Sequence, residues 1–223
     1  MRLFKAWSAS LMIISLAFCA SLASAAEMWV KGTHYTELAV PVETRDPSKI
    51  EVLELFWYGC PHCFEFNKLL PAWKKTLADD VDFHLMPTMF PGWEIHANAF
   101  YAAEFLGVLD TLHQPLFDQI VAKPKNFQKV EDFKPIFVAN GVKAEDYDKV
   151  FKAEGFRKIS KVEEAMNVAK KRLKEYRISG VPALIVNGKY KIAAGEAGGM
   201  ENMLKVASFL VQKERADKAK KAP

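Results

Sequence analysis

The pattern of apolar and polar positions changes its period along the chain, and these changes outline the fold. The run Ile50–Trp57 is mostly apolar and too short for a typical helix, as expected of a strand covered on both faces. From Pro61 onward apolar residues recur at helical spacing, although Pro71 is expected to kink or break that helix. A second strand is predicted at Val81–Met86. Such a strand–helix–strand unit normally builds a parallel sheet through a right-handed crossover.

The middle of the chain, from Pro87 to about Tyr176, shows helical periodicity and no convincing strand. Amphipathic helices are predicted at Glu94–Leu106, Leu109–Ala122, Val130–Ala139, Ala144–Ala153 and Arg157–Tyr176.

The last section returns to β structure. Asn187-Gly188 separates two strand-like runs, and this pair is typical of a hairpin turn because both turn positions need positive φ. A closing helix is predicted from Met200 to about Gln212. An edge strand near Tyr35–Val40 precedes the core, so the order of elements predicts an α/β domain interrupted by a helical insertion.

Residues 1–26 have the pattern of a cleaved export signal. Arg2 and Lys5 precede an apolar stretch, and Ala23-Ser24-Ala25 is an A-x-A cleavage pattern. A membrane anchor is the alternative, but a span needs about 20 apolar residues, and serines interrupt this shorter run. The signal also contains Cys19, which we expect to be absent from the mature protein.

The composition is that of a globular protein, with 50% hydrophobic and 26% charged residues. The formal charge is +4, and removal of Arg2 and Lys5 leaves +2. Residues 212–223 alone carry five basic and two acidic side chains, so the body is nearly neutral. This balance argues against nucleic-acid binding, which needs basic charge clustered on the body, and the C-terminal tail is expected to be solvated and frayed.

The mature chain keeps two cysteines, Cys60 and Cys63, and their spacing indicates chemistry. A disulfide between them closes a very small loop and adds little stability. At a helix start, the free amide groups and the helix dipole stabilise a thiolate on Cys60. Pro61 suits the first helical position, and His62 adds positive charge beside the sulfur. These effects favour the reduced form, so the disulfide is predicted to oxidise substrates.

Other interpretations of the pair are weaker. Structural zinc needs four ligands, and His62 with two cysteines provides three. Covalent haem attachment needs a histidine directly after the second cysteine, where Phe64 stands. The remaining histidines lack ligand-like spacing and are predicted to be structural: His34, His84, His96 and His113.

The segment Phe56-Trp57-Tyr58-Gly59-Cys60-Pro61-His62-Cys63 resembles the active site of the DsbA family, and Gly180-Val181-Pro182 resembles its cis-proline loop. The resemblance covers essentially the whole mature chain. It implies a thioredoxin-like fold with an inserted all-helical domain. The implied division is residues 1–26 for the signal, 27–88 and 168–213 for the thioredoxin-like domain, 89–167 for the insertion and 214–223 for a basic flexible tail.

The resemblance also implies roles for individual residues. Cys60 is the exposed nucleophile, and Cys63 is the buried partner that resolves the mixed disulfide. Pro61 and His62 tune the couple. Val181 and Pro182 would lie against Cys60, where a cis bond exposes the Val181 backbone to an extended substrate.

Glu54 is a carboxylate within an apolar strand. The resemblance places it beneath Cys63 as a proton acceptor during resolution, and burial would raise its pKa. The alternative is a strand-end carboxylate that reaches solvent. Asn67 and Leu85 occupy positions where some relatives carry charged residues near the site, so the redox potential is open.

These features predict a monomeric periplasmic oxidase that acts on reduced, unfolded secreted proteins. No flavin, nicotinamide or metal motif is present, so no cofactor is expected, and a DsbB-like membrane oxidase would reoxidise the pair. A disulfide isomerase or reductase is the alternative within the same class. A peptide-holding chaperone and a copper carrier are alternatives from other classes, although His62 is the only extra copper ligand available.

Overall fold

The computed structural model describes residues 29–221. The predicted export signal and Cys19 lie outside the described residues. Among the residues described, no helix combines the length and the apolar content that crossing a bilayer requires.

The centre of the fold is a mixed five-stranded sheet with the strand order β1-β5-β4-β2-β3. Its strands are β1 (Thr36–Glu37), β2 (Ile50–Phe56), β3 (Val81–Pro87), β4 (Ala183–Val186) and β5 (Tyr190–Ala193). The β2 and β3 strands are parallel, and β2–β4, β4–β5 and β1–β5 are antiparallel. Every residue of β2 is buried, as its apolar sequence predicts.

Helices cover both faces of the sheet. They are α1 (Pro61–Lys74), α2 (Glu94–Phe105), α3 (Leu109–Ala122), α4 (Lys134–Ala139), α5 (Ala144–Val150), α6 (Lys161–Tyr176), α7 (Ala194–Ala197) and α8 (Met200–Lys221). Short 3₁₀ turns lie at Pro124–Asn126 and Val130–Phe133.

Two hydrophobic cores result from the alternation of side chains along β2. Ile50 and Val52 pack with α1 and α8 on one face, whereas Leu53 and Leu55 pack with the helices that follow β3 on the other. The Cys60–Cys63 pair follows shortly after β2 and belongs to the same core as Leu53 and Leu55.

Helix α1 is continuous through Pro71, so of the predicted kink or break, the break does not occur. Pro71 is in the last turn and a half of the helix, so few backbone hydrogen bonds follow it. The carbonyl of Asn67, four residues earlier, loses its helical donor.

Helix α6 begins later than predicted. It starts at Lys161 because Ser160 caps it, its side chain accepting a hydrogen bond from the Glu163 amide at 3.1 Å. The predicted domain boundary between residues 167 and 168 falls inside this continuous helix.

Helix α8 extends to Lys221, whereas the sequence pattern ended it near Gln212. Long-range contacts hold the added turns. Arg215 donates two hydrogen bonds of 2.7 Å to Asp80, and Lys218 donates to the carbonyl of Lys49 at 2.8 Å. The segment predicted to be a flexible tail is therefore helical as far as Lys221, and it contacts the body as far as Lys218.

The hairpin between β4 and β5 is confirmed. Asn187 and Gly188 have φ values of 51° and 62°. A Cβ at position 188 would lie 1.9 Å from the Val42 carbonyl oxygen, so the close approach of the β1–β2 loop also requires glycine there.

Candidate active site

Cys60 occupies the N-cap of helix α1, immediately after β2. Its backbone is extended, with φ −94° and ψ 115°, and its sulfur accepts a hydrogen bond from the Cys63 amide at 3.4 Å. Pro61 follows at the first helical position, where its missing N–H leaves no acceptor unpaired. Both cysteines are free, with no disulfide between them.

The two cysteine residues differ in exposure less than the family resemblance implies. Cys63 is fully buried, and Cys60 is only 8% exposed. The cis-proline loop contributes to this cover, because the Cys60 Sγ lies 3.8 Å from the Val181 carbonyl oxygen.

The acidities of the two thiols diverge. The pKa of Cys60 is lowered to about 6, and the largest cause is hydrogen bonding from the Cys63 side chain. The backbone amides of Cys63 and His62 and the His62 charge lower this pKa further, whereas burial acts in the opposite direction. Burial, followed by interaction with Cys60, strongly raises the pKa of Cys63. One sulfur is thus an anion near neutral pH, and the other keeps its proton.

The Val181–Pro182 peptide bond is cis, and it lies against the Cys60 sulfur as predicted. It lines a groove of about 340 Å³ that runs from His62 along the start of β4. Lys191 and Glu196 lie on the walls of this groove. An extended chain placed here would meet Cys60 and the loop backbone together.

Glu54 is 1% exposed, which excludes a carboxylate that reaches freely into solvent. Its Oε2 atom has no hydrogen-bond partner among the described residues. Burial raises the pKa of Glu54 to about 8, and the Glu54 charge in turn contributes to the raised pKa of Cys63. The residue paired with it on β3 is the apolar Leu85, which offers no charge to offset burial.

A stack of aromatic rings borders the pair. Trp57 lies parallel to Trp93, with ring centroids 4.1 Å apart, and His96 stacks at 5.5 Å from Trp57. The Trp57 ring covers the backbone at position 59, where a Cβ would lie 2.3 Å from it. Gly59 is therefore required for the Trp57 ring to lie over the chain just before Cys60.

A buried polar pair was not anticipated by the sequence analysis. The Tyr58 hydroxyl lies 2.9 Å from His113 Nδ1, on helix α3. Tyr58 is fully buried. The residues are far apart in the chain, so no sequence signal pairs them, and His113 was expected to be only structural.

Within residues 29–221, no group of three or more histidine, cysteine, aspartate or glutamate side chains is arranged to hold a metal ion.

Comparison with known proteins agrees with this arrangement. Residues 51–210 match the model of the DSBA-like thioredoxin domain. The thiol:disulfide interchange protein DsbA of Azotobacter vinelandii is 41% identical, over 83% of this chain and 84% of its own. The chain belongs to the DsbA family. The DsbA of Pseudomonas aeruginosa is 36% identical over 92% of this chain and 94% of its own.

Solved structures of DsbA proteins share the fold. The crystal structure of Pseudomonas aeruginosa DsbA has a TM-score of 0.78 at 37% identity, covering 86% of this chain and 97% of the solved chain. The DsbA of Xylella fastidiosa has a TM-score of 0.75 at 31% identity, covering 84% and 98%. The thioredoxin-like α/β fold with its helical content is confirmed, and so is the reaction class, that of a thiol–disulfide oxidoreductase.

Proposed function

We propose that this DsbA-family chain works as a periplasmic dithiol oxidase that gives its Cys60–Cys63 disulfide to reduced, unfolded secreted proteins. The observation that carries the proposal is the contrast between the two sulfurs. Cys60 is a stabilised anion at the head of α1, and Cys63 is a fully buried thiol one turn later.

The direction follows from the pKa of Cys60. A thiol with a pKa of about 6 stabilises the reduced state at neutral pH relative to an ordinary cysteine, by up to about tenfold in the equilibrium constant before screening by solvent. Tenfold corresponds to about 30 mV for a two-electron couple. The disulfide therefore transfers readily to a substrate dithiol.

The residues have the following roles in this proposal. A substrate thiolate attacks the Cys60 sulfur, the bond to Cys63 breaks, and Cys63 leaves with the electron pair and takes a proton that Glu54 supplies. A second substrate thiolate then forms the substrate disulfide and releases Cys60 as a thiolate. The substrate loses two electrons and two protons; the protein keeps both electrons and one proton on Cys63.

Substrate binding uses the groove beside the cis-proline loop. The Val181 backbone pairs with an extended substrate segment, Pro182 holds that loop against Cys60, and His62 and Pro61 tune the couple. Reoxidation runs through a DsbB-like membrane oxidase, and the protein acts as a monomer in the periplasm after removal of residues 1–26.

The test is a titration of the mature protein. We expect alkylation of Cys60 in the reduced form, with the modified residue identified by peptide mass, to show a midpoint near pH 6. Equilibration with a glutathione buffer should give a strongly oxidising couple. A Cys60 that titrates near pH 8.5 to 9, as a free thiol does, would contradict the proposed direction.

A Cys60→Ser variant separates this function from peptide holding. An oxidase loses all disulfide transfer to a reduced test protein with this substitution. A chaperone that holds unfolded chains keeps its suppression of aggregation, and a variant with full activity would overturn the proposal.

A further inference from the structure

Each oxidation and each reoxidation moves one proton between Cys63 and solvent, if the proposed function holds. The first proton transfer is between Cys63 and Glu54, and both residues are buried. Cys63 is fully buried and Glu54 is 1% exposed. A proton that reaches Glu54 therefore needs a further path through the protein.

A line of polar groups leaves this region between helices α1 and α3. Tyr58 contacts Phe56, with ring centroids 5.0 Å apart, and its hydroxyl lies 2.9 Å from His113 Nδ1. The Tyr58 hydroxyl and the Glu54 carboxyl also interact electrostatically, since the Glu54 charge adds to the burial that raises the pKa of Tyr58.

The line ends at the surface. His113 is partly exposed. Its neighbour Gln114 accepts a hydrogen bond from Asn67 Nδ2 at 2.9 Å and donates one to Asp118 at 2.7 Å. Asn67 lies one helical turn after Cys63 on α1, so this polar strip begins on the same face of that helix as Cys63. The surrounding contacts of Tyr58 and His113 are with the apolar rings of Phe56 and Phe117.

We propose that Tyr58 and His113 form the proton relay that connects Glu54 to solvent at the α1–α3 boundary. On reoxidation, Glu54 takes the Cys63 proton and passes it to the Tyr58 oxygen, for which the carboxyl, unpaired among the described residues, must first turn to the Tyr58 hydroxyl. Tyr58 gives its own proton to His113 Nδ1, and Nε2–H of the same ring releases one to solvent. On substrate oxidation, the other tautomer of His113 carries a proton inward through the same atoms.

The relay suits the protonation state of His113. Burial lowers the pKa of His113 to about 3, so the ring is neutral during turnover and can accept a proton at one nitrogen while giving one from the other. Burial raises the pKa of Tyr58, so its side chain is a neutral hydroxyl before and after each transfer.

The test separates the two chemical steps. Reduced protein is mixed with oxidised glutathione and quenched in acid at short times, and mass spectrometry follows glutathione on Cys60. For Tyr58→Phe we expect formation of the mixed disulfide at the native rate. Its resolution by Cys63 should be slowed by ~100-fold or more, in the range of a lost proton-transfer group.

Two further readouts identify a proton-transfer defect. Imidazole added to the buffer should restore part of the lost rate, and the native protein should show a solvent deuterium effect on resolution only. The matched control is Tyr147→Phe, which removes the hydroxyl of an equally buried tyrosine that donates to the Val130 carbonyl. It should leave both steps unchanged.

Resolution at the native rate in Tyr58→Phe, or a slowing of both steps that imidazole does not relieve, would overturn the relay. His113→Leu tests the same path with Tyr58 in place, should Tyr58→Phe not fold. The alkylation midpoint of Cys60 is independent of the relay, so a failed relay leaves the proposed oxidase function standing.

Discussion

Strand β2 carries two buried glutamates that differ in almost everything except residue type. Glu51 is fully buried, and it accepts hydrogen bonds from Arg172 Nη2 at 2.7 Å and from the Arg45 amide at 2.9 Å. Glu54, three residues later, is 1% exposed, and no hydrogen bond to it occurs among the described residues. One carboxylate is held by charged and polar donors, and the other is buried with none.

The difference shows that the partners of a buried carboxylate, and not burial alone, decide its role. Glu51 faces helix α6, and its ion pair with Arg172 fixes that helix to the sheet. Glu54 faces α1, where burial, only partly offset by the Lys74 charge, raises its pKa to about 8, so the carboxyl is largely protonated near neutral pH. A fully paired acid serves structure, and an unpaired acid is available for proton transfer.

The largest expected effect comes from removing the paired acid. Glu51→Ala leaves the largely buried Arg172 guanidinium without its counter-charge, so we expect the free energy of unfolding to fall by ~3 to 5 kcal/mol. Denaturant unfolding of the disulfide form at pH 7 measures this. The double variant Glu51→Leu with Arg172→Met is the control, and it should recover most of the loss. A single-variant loss below about 1 kcal/mol would show that the pair does not hold α6.

Removing the unpaired acid, Glu54, should raise the free energy of unfolding instead of lowering it. Its pKa is 4.5 in the unfolded chain and about 8 in the fold, so the folded state binds the extra proton and loses stability as pH rises between these values. At pH 7 this amounts to ~3 kcal/mol. We therefore expect Glu54→Leu to be more stable than the native protein by about that much.

The same variant should flatten the dependence of stability on pH between about 4.5 and 8. Unfolding curves of the disulfide form at several pH values measure both effects. A Glu54→Leu protein that is less stable at pH 7 would mean that the carboxyl has stabilising partners.

The smallest effect comes from giving Glu54 a partner. Leu85 pairs with Glu54 across β2 and β3, so Leu85→Lys places a cation beside the acid and should lower its pKa by about one unit. The upper limit of the pH range over which stability falls would move down accordingly. Leu85→Met is the matched control with an unchanged midpoint, and an unshifted midpoint in Leu85→Lys would show that the lysine turns to solvent.

Features set by neighbouring residues were predictable from the sequence. Three features are specified by residues close together in the sequence: the mostly apolar β2 run, the Asn187-Gly188 turn and the Cys60–Cys63 spacing at a helix start. Family resemblance added Glu54 and the cis-proline loop, whose positions depend on the sheet.

Features set by distant contacts were not predictable. The end of α8 depends on Asp80 and the carbonyl of Lys49, far earlier in the chain. The Tyr58–His113 pair depends on how α3 packs against α1, which periodicity does not specify. Sequence signals for helix ends do not reveal the contacts that extend α8, and the positions of the histidines in the sequence do not reveal that His113 meets Tyr58.

The Trp57 ring over Gly59 couples the two positions. Because the indole fills the space that any side chain at 59 would need, neither residue can be exchanged alone without clash or loss of the stack with Trp93. Variant libraries that randomise this segment one residue at a time will therefore return few functional members at position 59. Libraries that vary positions 57 and 59 jointly should recover pairs with a small residue at the first and a larger one at the second.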